Sequence, residues 1–209
     1  VNDLLLVNHF HINGIDAYWG DGDPEDDIGH GTHVAGTIGA AANDGNPHVG
    51  VAWNVRLLAC KVGSFFMSTD AVIDSIEFSL DNGASVANCS FGGMSFSQAE
   101  FDAFAAGGQG GIMFACAAGN YSINNDAMPF YPCSFDLECI ISVAATNNKD
   151  NLTSFTHWGR ESVDLGAPGE DIFSSVSDAD DAYDSYDGTS MASPHVAGIL
   201  ALMRGVQPV

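Results

Sequence analysis

Three short strings hold side chains suited to nucleophilic chemistry. In Gly188-Thr189-Ser190-Met191-Ala192-Ser193-Pro194-His195-Val196-Ala197-Gly198 a serine stands where a loop turns into a helix. Unpaired backbone N–H groups and the helix dipole stabilise negative charge at such a junction, so a nucleophile there has an oxyanion donor in its own backbone. In His30-Gly31-Thr32-His33-Val34-Ala35-Gly36-Thr37-Ile38-Gly39-Ala40 a histidine opens a helix of small residues. Neutral imidazole has a pKa suited to general-base work. Ala117-Ala118-Gly119-Asn120 ends an apolar run on a glycine and a side-chain amide, a donor that suits a developing oxyanion. Each residue alone has a plainer structural use, as an N-cap serine, a core or surface histidine, and a turn asparagine.

The elements that must position these residues follow from hydrophobic patterning. Apolar runs at 55–62, 84–90, 112–118 and 140–145 are nearly continuous rather than alternating, as in strands buried on both faces of a parallel sheet. Helical patterns lie between or after them. Residues 68–80 place Val72, Ile73, Ile76 and Leu80 on one face, and Ser97 with Glu100 has capping-box spacing ahead of Phe101 and Phe104. Residues 190–203 space Val196, Ile199, Leu200 and Met203 helically, with Pro194 expected in the first turn. The stretch to Gly29 reads mostly as loop. Alternation of strand and helix makes the class α/β, and the length suits a single domain over 1–209.

Taken together, the three strings resemble the histidine, asparagine and serine motifs of the subtilisin-like (subtilase) serine proteases, peptidase family S8. The likeness holds in identity, order and approximate spacing over about residues 23–203. The resemblance implies a three-layer fold with a mostly parallel sheet between helices. It implies endoproteolysis through a Ser190 acyl-enzyme, with His30 as general base and Asn120 in the oxyanion hole. It implies that Ser90, Phe91 and Gly92 pair with a substrate backbone. Ala117, Ala118 and Gly119 would form the other wall of the S1 pocket, and Phe130, before Tyr131-Pro132, its floor, which favours small or medium P1 residues. His33 and His195 belong to the motifs with structural roles.

One family feature has no counterpart. The triad aspartate of the family ends a buried strand and is followed by Ser-Gly or Thr-Gly, and no such string precedes His30. Loss of that carboxylate in another serine protease costs about 10⁴ in turnover. The expectation is therefore a protease domain incomplete at both ends, or alternatively an impaired pseudoprotease that binds peptides along 90–92 by strand addition without turnover. A zinc hydrolase using His30 and His33 lacks an adjacent glutamate base and a third ligand.

Composition narrows the partners. Five Lys and Arg against 27 Asp and Glu give a formal charge of −22, which repels nucleic acid and anionic membranes and attracts basic peptides. The acids cluster at Asp16, Asp21, Asp23, Glu25, Asp26 and Asp27 before His30, and at Glu170, Asp171, Asp178, Asp180, Asp181, Asp184 and Asp187 before Ser190. No apolar run reaches the roughly 20 residues needed to span a bilayer. By resemblance the protein is secreted or extracytoplasmic, with its signal segment and a propeptide inhibitor outside these residues. No cofactor is expected for the chemistry. Structural Ca²⁺ is a family expectation without named ligands; Asp44 lies near the corresponding loop, where a plain turn is the simpler reading. The five cysteines show no CxxC spacing. Cys60, Cys89 and Cys116 read as buried thiols, and Cys133 and Cys139 as a pair that could bridge a short loop.

Overall fold

Strands that are apolar on both faces need cover on both sides, and the chain supplies it with two pairs of helices. The computed structural model describes residues 3–7, 14–64, 66–179 and 181–206, so Asp180 lies outside the described residues. The sheet has seven strands in the order β2-β3-β1-β4-β5-β6-β7. They are β1 (Asp3–Val7), β2 (Gly14–Asp16), β3 (Leu57–Lys61), β4 (Val86–Cys89), β5 (Met113–Ala117), β6 (Ile140–Thr146) and β7 (Leu165–Pro168). All neighbouring pairs are parallel except those made by β1, which runs antiparallel to both β3 and β4. The apolar runs at 55–62, 84–90, 112–118 and 140–145 thus become β3 to β6. The opening stretch is not all loop, because β1 and β2 join the sheet.

One face of the sheet packs on α2 (Thr69–Asp81) and α3 (Gln98–Gln109) through Cys60, Val72, Ile76, Cys89, Phe104, Phe114 and Cys116. The other packs on α1 (His30–Gly39) and α4 (Thr189–Val206) through Val34, Ile38, Val86, Ala115, Val143, Met191 and Val196. Alternation along β5 explains the split: Phe114 and Cys116 point to one core, Ala115 to the other. A hairpin of β8 (Ile172–Ser175) and β9 (Tyr183–Tyr186) lies beside α1 and leads into α4.

Two expectations change in detail. Ser97 caps α3 by accepting from the Glu100 N–H at 3.3 Å, but the Glu100 carboxylate, instead of closing a capping box, accepts from the Thr69 hydroxyl at 2.6 Å and ties α3 to α2. Cys133 and Cys139 do not pair: all five cysteines are free thiols. The Cys133 Sγ–H donates to the Phe130 carbonyl at 2.8 Å, and the Cys139 Sγ–H is directed to the Phe104 carbonyl at 3.7 Å, so the two sulfurs serve different neighbours.

Candidate active site

His30, Asn120 and Ser190 line one cleft of about 450 Å³ together with Ser185, Tyr186, Asp187 and Met191. Residues separated by up to 160 positions in sequence meet because α1 and α4 pack against each other on one face of the sheet while β5 delivers Asn120 at its carboxyl end.

His30 is the first residue of α1. The N-cap, Gly29, has φ of 86° and no capping side chain, so Asp26 serves instead. Its Oδ1 accepts from the Ile28 and Gly29 N–H groups, and its Oδ2 from the Thr32 N–H and hydroxyl. Burial raises the Asp26 pKa, but these hydrogen bonds outweigh it and hold the carboxyl below its ordinary value.

Ser190 is the second residue of α4, so its N–H has no acceptor one turn back within the helix. Pro194 lies beyond the expected first turn, at the sixth helical position. Lacking an N–H, it leaves the Ser190 carbonyl without its helical donor. The Ser90 hydroxyl fills that place, donating to the Ser190 carbonyl at 2.7 Å, while the Ser190 hydroxyl donates to the Ser90 carbonyl at 3.2 Å. Behind them the Asn88 amide donates to Ser90 Oγ at 2.9 Å, and the Ser193 hydroxyl bonds both Asn88 Oδ1 and the Ala115 carbonyl. All of Asn88, Ser90 and Ser193 are buried, so this chain of polar groups fixes α4 to β4 and β5 without solvent competition.

Asn120 is oriented by Thr189, a buried residue that the motif reading did not single out. The Thr189 N–H and hydroxyl both donate to Asn120 Oδ1, at 2.8 and 2.9 Å, and Thr189 Oγ1 accepts from the Gly119 N–H at 3.1 Å. With its oxygen held there, the amide presents Nδ2 on the opposite side, near Gly188 and the serine turn. Preorganised donors of this kind are what a tetrahedral oxyanion requires.

The expected substrate walls lie next to this site. Ser90, Phe91 and Gly92 follow β4; the Phe91 side chain belongs to the core, so that residue offers only its backbone. Ala117, Ala118 and Gly119 end β5, and Gly119 at φ of 114° has no room for a side chain, since a Cβ would lie 2.5 Å from His157 Nδ1. Phe130 is 8% exposed, and a Cβ on Gly92 would run into its ring. The ring also packs edge-on against His157 at 5.1 Å, and a two-way backbone pairing of Gly93 with Tyr131 ties this stretch to the segment after β4.

His157 was not legible as a site residue. Fully buried, it hydrogen-bonds Asn125 Oδ1 through Nδ1 at 2.8 Å, Asn125 Nδ2 donates to the Ala118 carbonyl, and the His157 N–H donates to the Gly119 carbonyl. Burial lowers its pKa, which favours the neutral ring beneath the Gly119–Asn120 turn. His33 and His195 take the structural parts expected of them: His33 Nε2 donates to the Ile172 carbonyl at 2.8 Å, and His195 Nδ1 to the Met191 carbonyl at 2.8 Å.

The acidic run before His30 is largely committed to structure. Lys61, itself buried, lies 3.4 Å from Asp16 Oδ2 and donates to Asp27 Oδ2 at 2.7 Å and to the Glu25 carbonyl at 2.9 Å. Metal cages are absent among the described residues: no group of three or more His, Cys, Asp or Glu side chains converges. Asp44 lies in an exposed turn, where its two carboxylate oxygens accept from the Asn46 N–H and side-chain amide.

The subtilase family model matches residues 8–208. The chain belongs to the subtilase family. This subtilase is 38% identical to Subtilisin DY of Bacillus licheniformis over 209 residues, covering 99% of the chain and 72% of that protein. It is 40% identical to alkaline serine exoprotease A of Vibrio alginolyticus, covering 94% of the chain and 36% of that protein. Against subtilisin-like protease 2 of Plasmodium falciparum the identity is 35%, with 88% of the chain and 14% of that protein covered. The subtilase chain thus spans from about one seventh to under three quarters of these relatives. A solved cold-adapted subtilisin-like serine proteinase superposes with a TM-score of 0.81 at 38% identity, over 93% of this chain and 67% of that one.

Proposed function

We propose that this chain is catalytic-domain sequence of a serine endopeptidase. The Ser190 hydroxyl attacks the scissile carbonyl, His30 takes its proton and returns it to the leaving amine, and water then hydrolyses the acyl-enzyme with His30 again as base. Asn120 Nδ2 and the Ser190 N–H hold the oxyanion. The observation that carries this reading is the pair of hydrogen bonds that Thr189 donates to Asn120 Oδ1, which leaves the amide donor for the cleft that His30 and Ser190 also line.

Peptide backbone pairs with 90–92 and 117–119, and Phe130 shortens the S1 pocket between Gly92 and His157, which selects small or medium P1 side chains. Cleavage of a peptide library mainly after Phe and Tyr would overturn that specificity. The substrates are proteins or peptides met outside the cytoplasm, and a propeptide inhibitor outside these residues is a family expectation. No helix among the described residues is long and apolar enough to cross a membrane. Structural Ca²⁺ remains a family expectation, tested by a chelator-induced fall in Tm.

A second reading, peptide binding without turnover, draws support from the commitment of Asp16 and Asp27 to Lys61. Labelling with a fluorophosphonate serine probe and mass mapping of the adduct separates the two. Adduct on Ser190 with peptide cleavage supports the protease; folded protein that binds peptide but neither labels nor cleaves supports the second reading.

A further inference from the structure

The cleft shared by His30, Asn120 and Ser190 touches none of the residues assigned to the acyl side of the substrate: Ser90, Phe91, Gly92, Ala117, Ala118, Gly119 and Phe130 are all outside its lining. Its far wall is instead the end of β9 and the turn into α4, Ser185 to Asp187. A peptide held on the acyl side therefore sends its leaving-group residues along that wall. Asp187 is the one carboxylate among the residues lining the cleft. Its Oδ1 accepts from the Asp171 N–H at 2.6 Å, which fixes the side chain, while Oδ2 has no hydrogen bond and the group no ion pair among the described residues. None of the five Lys and Arg residues lines the cleft.

We propose that Asp187 is a specificity-determining residue that selects Arg or Lys in the first two positions after the scissile bond. This rests on the protease reading of the same cleft and adds the substrate class of its leaving-group side. A carboxylate immobilised by a backbone donor and lacking a counter-ion gains most from a cation brought by the ligand, and repels Asp or Glu at the same place. The adjoining wall has the same sign. Burial, together with the charges of Asp184, Asp178 and Asp26, pushes the Tyr186 phenol above its ordinary pKa.

The test is a set of internally quenched peptides that differ only in carrying Arg, Gln or Glu at the first or second position after the cleaved bond, or at a site far from it. For the native residue the Arg-to-Glu ratio in kcat/KM should be about tenfold next to the bond and small at the distant site. In Asp187→Asn, whose amide oxygen still accepts from the Asp171 N–H, the ratio should fall toward one. Binding of the same peptides to Ser190→Ala, followed by fluorescence anisotropy, reads the preference without turnover, alone and combined with Asp187→Asn. A ratio left unchanged by Asp187→Asn, or an Arg preference at every position, would assign the effect to the overall charge and overturn the inference. Failure of Ser190 to label and of every peptide to be cleaved would sink the protease reading instead, and the binding ratio would still decide the role of Asp187.

Discussion

The imidazole of His33 lies flat on the phenol of Tyr186, with ring centroids 4.4 Å apart and planes within 9°. Tyr186 lines the cleft, and His33 sits three residues along α1 from His30. The stack is reinforced on both sides, by His33 Nε2 on the Ile172 carbonyl and by the Ser174 hydroxyl on the His33 carbonyl. The helix that carries His30 and the hairpin that precedes Ser190 are thereby one packed unit. His33→Ala should cost about 3 kcal/mol in urea unfolding and lower kcat/KM, whereas His33→Phe, which keeps a flat ring, should recover part of both. Equal losses in the two variants would show that the Ile172 hydrogen bond, rather than the stack, carries the coupling.

Thr189 predicts a separation of kinetic constants. Loss of one oxyanion donor in subtilisin itself costs about 10²–10³ in kcat, and Asn120→Ala is expected to do the same here. Thr189→Val keeps the backbone N–H bond to Asn120 Oδ1 but removes the hydroxyl bond and the acceptor of the Gly119 N–H, which loosens the orientation of the amide, so kcat should fall about tenfold with KM little changed. A rise in KM at constant kcat would mean that Thr189 serves binding instead.

Acid should weaken the fold in two stages. Burial lowers the pKa of His33, His48, His157 and His195 below the ordinary 6.5. Their folded forms therefore resist protonation that the unfolded chain accepts, and stability present above 6.5 is lost as pH falls through that value toward the folded pKa values. Asp26 is held below its ordinary 3.8, so its contribution is lost only at lower pH, as it is protonated through its folded pKa. Tm against pH should hold a plateau above about 7, decline through about 6, and steepen in the carboxylate range. His157→Asn should flatten the first decline; an unchanged curve would remove His157 from this account.

Lys61 should behave as a buried cation whose partners need it. Burial alone would lower its pKa, but Asp27 and Asp16 together raise it, so it is charged at any physiological pH. Lys61→Met leaves the buried Asp16 carboxylate without a counter-charge and should cost about 3–5 kcal/mol in denaturant melts. A loss under about 1 kcal/mol would mean that the Tyr18 and Trp19 N–H groups, which donate to Asp16 Oδ1, suffice to hold that charge.

The thiols should be inert in the folded protein. Burial, with Cys89 alongside, pushes Cys116 well up, and burial pushes Cys133 up to about 12. Thiolate is the reactive form, so an aromatic disulfide reagent should titrate Cys116 and Cys133 only after unfolding. A reductant should leave Tm unaltered, since no bridge exists to be cut.

The sheet strands β3 to β6 and helices α1 to α4 were legible because each writes a continuous or periodic apolar pattern into adjacent residues. His30, Asn120 and Ser190 were legible because each stands in a long local string. Hidden from that reading were the contacts that join distant strings. Thr189 on Asn120, Ser193 on Asn88 and Lys61 on Asp16 link positions 45 to 105 residues apart in pairs with no periodicity of their own. The same blindness let Cys133 and Cys139 look like a pair, since short separation says nothing about which carbonyl each thiol meets.

Pro194 changes how the end of α4 that carries Ser190 can open. A helix end ordinarily frays on its own, one backbone bond at a time, at little free-energy cost. Here the first turn of α4 carries a bond that crosses to the sheet in place of one along the helix, from Ser90 to the Ser190 carbonyl. Peeling the turn away means breaking into the buried polar chain of Asn88 and Ser193, which ties α4 to the central strand β4. The Met191 and Ala192 amides, which donate to the Gly188 carbonyl, should accordingly exchange with solvent deuterium at the slow rate of the sheet core, so that a turn at a loop-to-helix junction has the lifetime of one in the middle of the domain.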